Sequence, residues 1–280
     1  MDKRIVLVTC KAYPNLTESD GVLARVLQDA GGHPVAVDWR DRDIDWSSFD
    51  IAVARSTWDY HHHPDEFSRW IDAVAEATCL VNPAPIMQWN RNKRYLIELT
   101  GRGIPVLPFT AVMPGEPIPF RQLDQFDGDE IVIKPWVGAS AWQIVRTKQS
   151  ELGHVVTPEL RRDGFMIQQY APEIADGEYS VVFFDGRFSH AVLKKPRTGD
   201  FRTQPELGAT QSLVVPTATI LSGAEAVLKV LPQRPHYARI DGILQSGRFV
   251  LMEAELIEPE LYFHIAPNAA AEMAALILSL

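Results

Sequence analysis

The run YARIDGILQSGRFVLMEAEL, residues 237–256, constrains this chain more than any other segment. It consists of two β-like stretches around turn residues, and Ser246-Gly247-Arg248, taken as a three-residue loop, sets their pairing. In that register Asp241 lies across from Glu253 and Arg239 across from Glu255, so all four side chains share one face. Phe249, Leu251 and Ile257 fall on that face too, while Ile240, Met252, Ala254 and Leu256 form the core-facing side. Three adjacent carboxylates repel by a few kcal/mol per pair, taking ~4 kcal/mol at about 4 Å and an effective dielectric of roughly 20. A fold that holds them together needs a positive group among them.

A hard divalent cation supplies that charge, and Mg²⁺ typically takes a few carboxylates together with substrate phosphates. The alternative is an exposed hairpin with a solvated acidic face and Arg239 paired to Glu255; the apolar residues expected on the same face weigh against it. Two other segments could meet phosphates. Lys134 closes the strand-like run Ile131-Val132-Ile133 ahead of the small-residue loop Gly138-Ala139-Ser140-Ala141, where backbone N–H groups can approach an anion. Alone, this is also an ordinary solvated lysine. The second segment is Lys194-Lys195-Pro196-Arg197, followed by Gly199-Asp200-Phe201-Arg202 and then Gln204 and Glu206. It reads either as a solvated charge run or as a mobile loop closing over a phosphoryl group.

The first eighty residues alternate strand and helix signals: Ile5 to Thr9, a helix from Asp20 to Ala30 closed by Gly31-Gly32, then strands at Pro34 to Asp38 and Ile51 to Arg55. Such alternation predicts a parallel sheet covered on both faces. Ser56-Thr57-Trp58-Asp59-Tyr60 follows a strand's carboxyl end, where open α/β sheets bind ligands. Neither a G-x-G-x-x-G nor a P-loop motif is present. Asn82-Pro83-Ala84-Pro85 marks a boundary, and Trp89 to Leu99 is expected to be one helix ending at Gly101. From Glu130 onward strands and turns dominate, so an α/β domain is followed by an α+β one.

A chain of 280 residues with 46% hydrophobic content can bury a sizeable core, as one large or two to three small domains. A net charge of −9 without a basic stripe argues against nucleic acid as a partner. Cys10 and Cys79 are too few for a disulfide framework and fit reduced thiols, with Cys79 expected to be buried and inert. The six-residue apolar run near the start is shorter than a signal-peptide core, and no run approaches the ~18 residues of a membrane span. The expected location is the cytoplasm. His61-His62-His63 is a poor metal motif because consecutive imidazoles diverge, and Trp136 and Trp142 are expected to pack.

Taken in order, IVIKPWVGASAW, FMIQQYAPEIADGEYSVVFFDG, YARIDG and LMEAELIEP resemble the ATP-grasp superfamily of glutathione synthetases and D-alanine ligases, over roughly residues 90 to 265. The resemblance implies an ATP-grasp fold behind an N-terminal Rossmann-like domain, divided as 1–88 (substrate), 89–165 (ATP lid) and 166–280 (catalytic). It also implies ATP and Mg²⁺ as cofactors. By that likeness Lys93 and Lys134 hold the nucleotide, Gly138, Ala139 and Ser140, with Ala141, cover its phosphates, and Gln168, Gln169, Tyr170 and Ala171 form the adenine hinge. Glu178 holds the ribose, with Glu173 as fallback. Asp241, Glu253 and Glu255 take the metal positions, and Arg202 and Arg239 the reacting acyl phosphate. Relatives commonly carry Asn where this chain has Glu255, which adds a negative charge.

RSTWDYHHHPDEF, WNRNKRYLIELTGRGIPVLP, GDFRTQPELG and ELIEPELYF extend the resemblance over nearly the whole chain, to the branch holding the D-cycloserine-forming O-ureidoserine cyclo-ligase. The implied chemistry is ATP-dependent activation of a small amino-acid carboxylate as an acyl phosphate, captured by an amine of the same molecule. An intermolecular amino-acid or peptide ligase is the alternative enzyme. A non-catalytic nucleotide sensor is the alternative of another class, and Arg202, Arg239 and the full carboxylate set speak against it. Arg55, Ser56, Asp59, Glu258 and Glu260 are the expected substrate residues, with acidic groups suited to an α-ammonium. Tight dimers among relatives make a homodimer the expectation by resemblance alone.

Overall fold

The computed structural model describes residues 3–203 and 207–280; Gln204 and Glu206 lie outside the described residues. A first sheet of four parallel strands runs in the order β2-β1-β3-β4, with β1 Arg4–Thr9, β2 His33–Asp38, β3 Ile51–Ser56 and β4 Cys79–Val81. Helices α1 (Glu18–Asp29) and α2 (Pro64–Ala77) connect these strands. α1 begins two residues before the expected Asp20, because the Thr17 hydroxyl accepts from the Asp20 N–H at 3.1 Å and caps the first turn. Cys79, expected inside, is exposed at the start of β4.

The helix expected from Trp89 to Leu99 is two, α3 (Ala84–Asn90) and α4 (Tyr95–Gly101). Tertiary bonds win over local propensity at this break. The Asn90 side chain donates to the Ala254 carbonyl at 2.7 Å and accepts from the Leu256 N–H at 2.8 Å, while Asn92 Oδ1 accepts from the Arg94 N–H. Lys93 stands in the gap, its N–H bonded to the Trp136 carbonyl at 2.7 Å. Asn82, read as a boundary turn, is a buried tie whose amide bonds the Tyr237 and Leu256 carbonyls at 2.8 Å each.

A second sheet, antiparallel in the order β5-β8-β6-β7, is built from β5 Phe109–Val112, β6 Glu130–Pro135, β7 Val145–Lys148 and β8 Phe165–Gln169. Short helices α5 (Phe120–Leu123), α6 (Leu152–Val155) and α7 (Pro158–Asp163) accompany it over a core that includes Ile131, Ile133, Phe165 and Ile167. The third sheet, also antiparallel, runs β11-β10-β9-β12-β13: β9 Glu178–Phe184, β10 Arg187–Lys195, β11 Thr210–Val214, β12 Tyr237–Gln245 and β13 Arg248–Glu255. Helix α8 (Ala218–Lys229) packs on it, and the last helix, α9 (Pro267–Ser279), shares a core with α1 and the first sheet through Met273, Ile277, Leu23 and Leu27. Among the described residues no helix is long and apolar enough to cross a membrane.

The β12–β13 pair differs instructively from its expected form. Its turn has two central residues, not three: Gln245 pairs with Arg248, and Ser246 and Gly247 both have positive φ, 49° and 74°. The register then shifts between Asp241 and Gly242, leaving Met252 without a partner, so Asp241 still meets Glu253 and Arg239 still meets Glu255. The bulge exchanges the faces beyond it. Phe249 and Leu251 join Ile240, Ala254 and Leu256 in the core, and Met252 turns to the side of Asp241. Phe249 fits because glycine stands on both sides of it. A Cβ on Gly223 would come within 2.4 Å of the Phe249 Cβ, and one on Gly242 within 2.3 Å of its Cζ.

Candidate active site

The carboxylates of β12 and β13 are met by cations from three elements. Lys194, at the end of β10, places Nζ 2.9 Å from Asp241 Oδ2 and 3.1 Å from Glu178 Oε1. Arg239 donates to both oxygens of Asp241, at 2.9 to 3.2 Å, and to Glu255; Lys93 pairs with Glu253. Burial acts to raise the Asp241 pKa, but the Arg239 guanidinium and then the Lys194 ammonium hold it below the usual carboxylate range. Glu255 fares differently. Burial pushes its carboxyl up to about 7 against the pull of Arg239, with Glu253 and Asp241 adding repulsion.

Each carboxylate of the anticipated metal group is thus paired with a cation, and among the described residues no three His, Cys, Asp or Glu side chains are arranged to hold a metal. The donor chemistry still fits Mg²⁺, which takes hard oxygens and commonly binds through one or two carboxylates plus substrate phosphates. The premise that Phe249 and Leu251 shield this face from water is overturned. What encloses it is Lys194, Tyr262 and the second sheet: Asp241 is 2% exposed and Arg239 7%.

A slot opens beside these groups between the second and third sheets. Leu107, Val132, Ile144, Ala171, Ile174 and Met252 give it apolar walls, and Gln168, Gln169, Tyr170 and Glu178 also line it. Lys134 Nζ donates to Gln168 Oε1 at 2.8 Å, and its pKa is lowered by burial. Glu178 accepts from Lys194 and from the Thr203 hydroxyl at 2.8 Å; Glu173 instead accepts from Gln245 outside the slot. Arg146 lies over the Tyr170 ring at 3.7 Å and bonds Glu130, bracing Tyr170. Arg202 lines the slot while paired to Asp200 of its own loop at 2.9 Å.

The slot leads into a larger cleft of about 830 Å³, reaching from Gly138, Ala139, Ser140 and Lys93 to the first sheet. At that far end stand Tyr13, Glu18, Trp58, Tyr60, Glu258 and Glu260. Three expected substrate residues are elsewhere. Arg55 is fully buried, bonded to Asp20 at 2.8 Å and to the Pro259 carbonyl, so it ties α1 to the segment after β13. Ser56 is buried against the Thr9 hydroxyl at 2.9 Å, and Asp59 accepts from Trp39 Nε1 at 2.7 Å. The turn after β3 and the short 3-10 helix Tyr60–His62 present Trp58 and Tyr60 to the cleft instead, which sequence reasoning placed in the right segment without choosing them. Lys194 was hidden in a charge run, although strand alternation separates it, buried, from exposed Lys195.

Glu258 is buried with its carboxyl raised to about 8, by burial first and then by Glu255 and Glu253 against the opposing pull of Lys93. Such a group favours a cationic ligand or a retained proton.

The chain is similar to known proteins along most of its length. Residues 5–82 match the D-cycloserine synthetase DcsG N-terminal domain, and residues 108–238 the ATP-grasp domain of prokaryotic glutathione synthetase. The cycloserine biosynthesis protein DcsG of Streptomyces lavendulae is 30% identical over 257 residues, covering 85% of each chain. The glutathione synthetase of Prochlorococcus marinus is 27% identical over 141 residues, 49% of this chain and 44% of that one. Among solved structures, D-cycloserine synthetase DcsG superposes with a TM-score of 0.87 at 24% identity, over 99% of both chains. A D-alanine–D-alanine ligase of Bacillus anthracis gives 0.69 at 14%, over 100% of this chain and 97% of that one. The chain belongs to the ATP-grasp family of ATP-dependent carboxylate–amine ligases, in the branch of the cycloserine biosynthesis protein DcsG.

Proposed function

We propose that this ligase activates the carboxylate of a small O-ureidoserine-type amino acid with ATP and closes it on itself. The observation that carries this is one continuous cleft, in which the acidic hairpin separates a base-sized slot from an end lined by Trp58, Tyr60 and Glu258. The DcsG likeness supplies the substrate class.

Lys93 and Lys134 hold the phosphates, the loop 138–141 covers them, and the hinge of Gln168 to Ala171 with Glu178 seats the nucleoside. Asp241 and Glu253 are the residues that would hold Mg²⁺, with Glu255 beside them. The ion supplies charge neutralisation for the transferred phosphoryl group. Glu258 receives the α-ammonium and so turns the carboxylate toward the γ-phosphate. Attack of that carboxylate releases ADP and leaves an acyl phosphate, which Arg239 and Arg202 stabilise. The nitrogen on the aminooxy side then attacks the acyl carbon, the C–N bond forms, and phosphate leaves as the nitrogen loses its proton. Arg239 also answers the extra charge of Glu255, which it pairs directly.

Intermolecular ligation is the second reading, since the cleft of about 830 Å³ is within the size range of pockets that hold drug-sized ligands. Product mass decides between them. Substrate minus water marks cyclisation, and a product enlarged by an added amine marks intermolecular ligation.

A further inference from the structure

The loop between β6 and β7 is fastened to the first sheet's layer by contacts that the roles above do not use. Ser140, Ala141 and Gln143 have positive φ of 51°, 57° and 53°. Non-glycine residues are uncommon in that region, and several in one loop persist only where the surroundings hold them. Val137 and Ala139 pack on the core cluster that contains Tyr60, Met87 and Ile257. Beyond them the Trp142 ring centre lies 5.1 Å from that of His61 and 5.4 Å from that of His62, and the two imidazoles are 3.9 Å apart. Burial, and next the neighbouring His62, drives the His61 pKa down to about 4, so at neutral pH the ring that meets the indole is uncharged. Trp142 directly follows Ser140 and Ala141, which line the cleft on the phosphate side, and its backbone N–H donates to the Ala139 carbonyl at 2.9 Å.

We infer that Trp142 is a positioning residue: seated against His61 and His62, it holds the loop 138–141 down over the nucleotide phosphates. This rests on the nucleotide role proposed for that loop. The indole reaches across from the lid sheet to the short helical turn Tyr60–His62, so the loop's position is set by the first domain. An aromatic contact of this kind adds to simple burial, and its loss releases a loop whose own backbone conformation is unfavourable.

The test is binding of the non-hydrolysable analogue AMPPNP with Mg²⁺ to the whole protein, wild type against Trp142→Ala, Trp142→Phe and His61→Ala. Trp142→Ala is expected to weaken binding about tenfold and Trp142→Phe less than about threefold. Hydrogen exchange in 137–144 should be slowed by AMPPNP in wild type and Trp142→Phe but not in Trp142→Ala. The KM for ATP should rise with kcat nearly unchanged, which a general loss of structure would not produce. If Trp142→Ala fails to fold, His61→Ala, which removes the seat and leaves the indole in place, carries the same criterion. Wild-type affinity and loop protection in the variant overturn the inference. Failure of the wild type to bind AMPPNP would remove the nucleotide site itself, and this inference with it.

Discussion

Asp241 faces Glu253 across β12 and β13 only because the unpaired Met252 offsets a turn one residue shorter than the register would otherwise need. The bulge places the carboxylates on the cleft side and Phe249 and Leu251 in the core at the same time. Replacing both carboxylates, Asp241→Asn with Glu253→Gln, removes the charge that faces Lys194 and Lys93. Turnover measured as ADP release is expected to fall at least about 100-fold, the scale on which a catalytic electrostatic group acts.

Two acidic residues expected in the substrate pocket, Glu258 and Asp59, should separate cleanly. Glu258 lines the cleft, whereas Asp59 is held by Trp39. Glu258→Gln is expected to raise the KM for the amino acid about tenfold or more, the loss of one charge-assisted contact. Asp59→Asn should leave it within about twofold, since its side chain does not reach the cleft. Equal KM values in both variants and wild type would take Glu258 out of the pocket.

Glu258 also has a stability signature. Its folded pKa, raised from the ordinary 4.5 to about 8, means that the folded protein binds more protons than the unfolded one between those values. Stability from this group is therefore present at low pH and lost as pH rises through about 8. The thermal midpoint of Glu258→Gln relative to wild type should increase from pH 5 to pH 9, measured without substrate.

Arg55 and Asp20, each almost completely buried, form an ion pair at 2.8 Å that joins β3 to α1. Removing one partner leaves a buried charge uncompensated, which costs about 3–5 kcal/mol. Asp20→Ala should lower stability in urea by that amount, while KM values of the surviving folded enzyme remain near wild type.

Gly242→Ala puts a methyl group into the Phe249 ring, 2.3 Å from Cζ and 2.6 Å from the Val250 carbonyl oxygen. Overpacking of this kind costs about 1–3 kcal/mol, and here the contact with backbone prevents easy relief. A chemical-denaturation midpoint shifted by less than the measurement error would show that the sheet accommodates it.

Much of the fold was legible from periodicity: alternating strands and helices specify the parallel sheet, and the hairpin run specifies the acidic face. The register at Asp241 and Glu253 was also reached, but through a three-residue turn without a bulge. Alternation of period two cannot show where one residue goes unpaired, so the faces of Phe249, Leu251 and Met252 came out reversed. The split between α3 and α4 was hidden for another reason: Asn90 bonds to β13, more than 160 residues away. Arg55 looked like a ligand residue because it is a charge at a strand end. Its partner, Asp20, lies on a different element, and only the packing of α1 brings the two together.

The most direct test of ATP-dependent ligation at this site is to incubate the protein with ATP, Mg²⁺ and O-ureidoserine of either configuration, following ADP and product mass together. One ADP per product, with a product lighter than the substrate by one water before any loss of the carbamoyl group, is the expected result. Failure of either enantiomer to stimulate ADP release would contradict the proposed substrate, and a product enlarged by a second amine would contradict cyclisation.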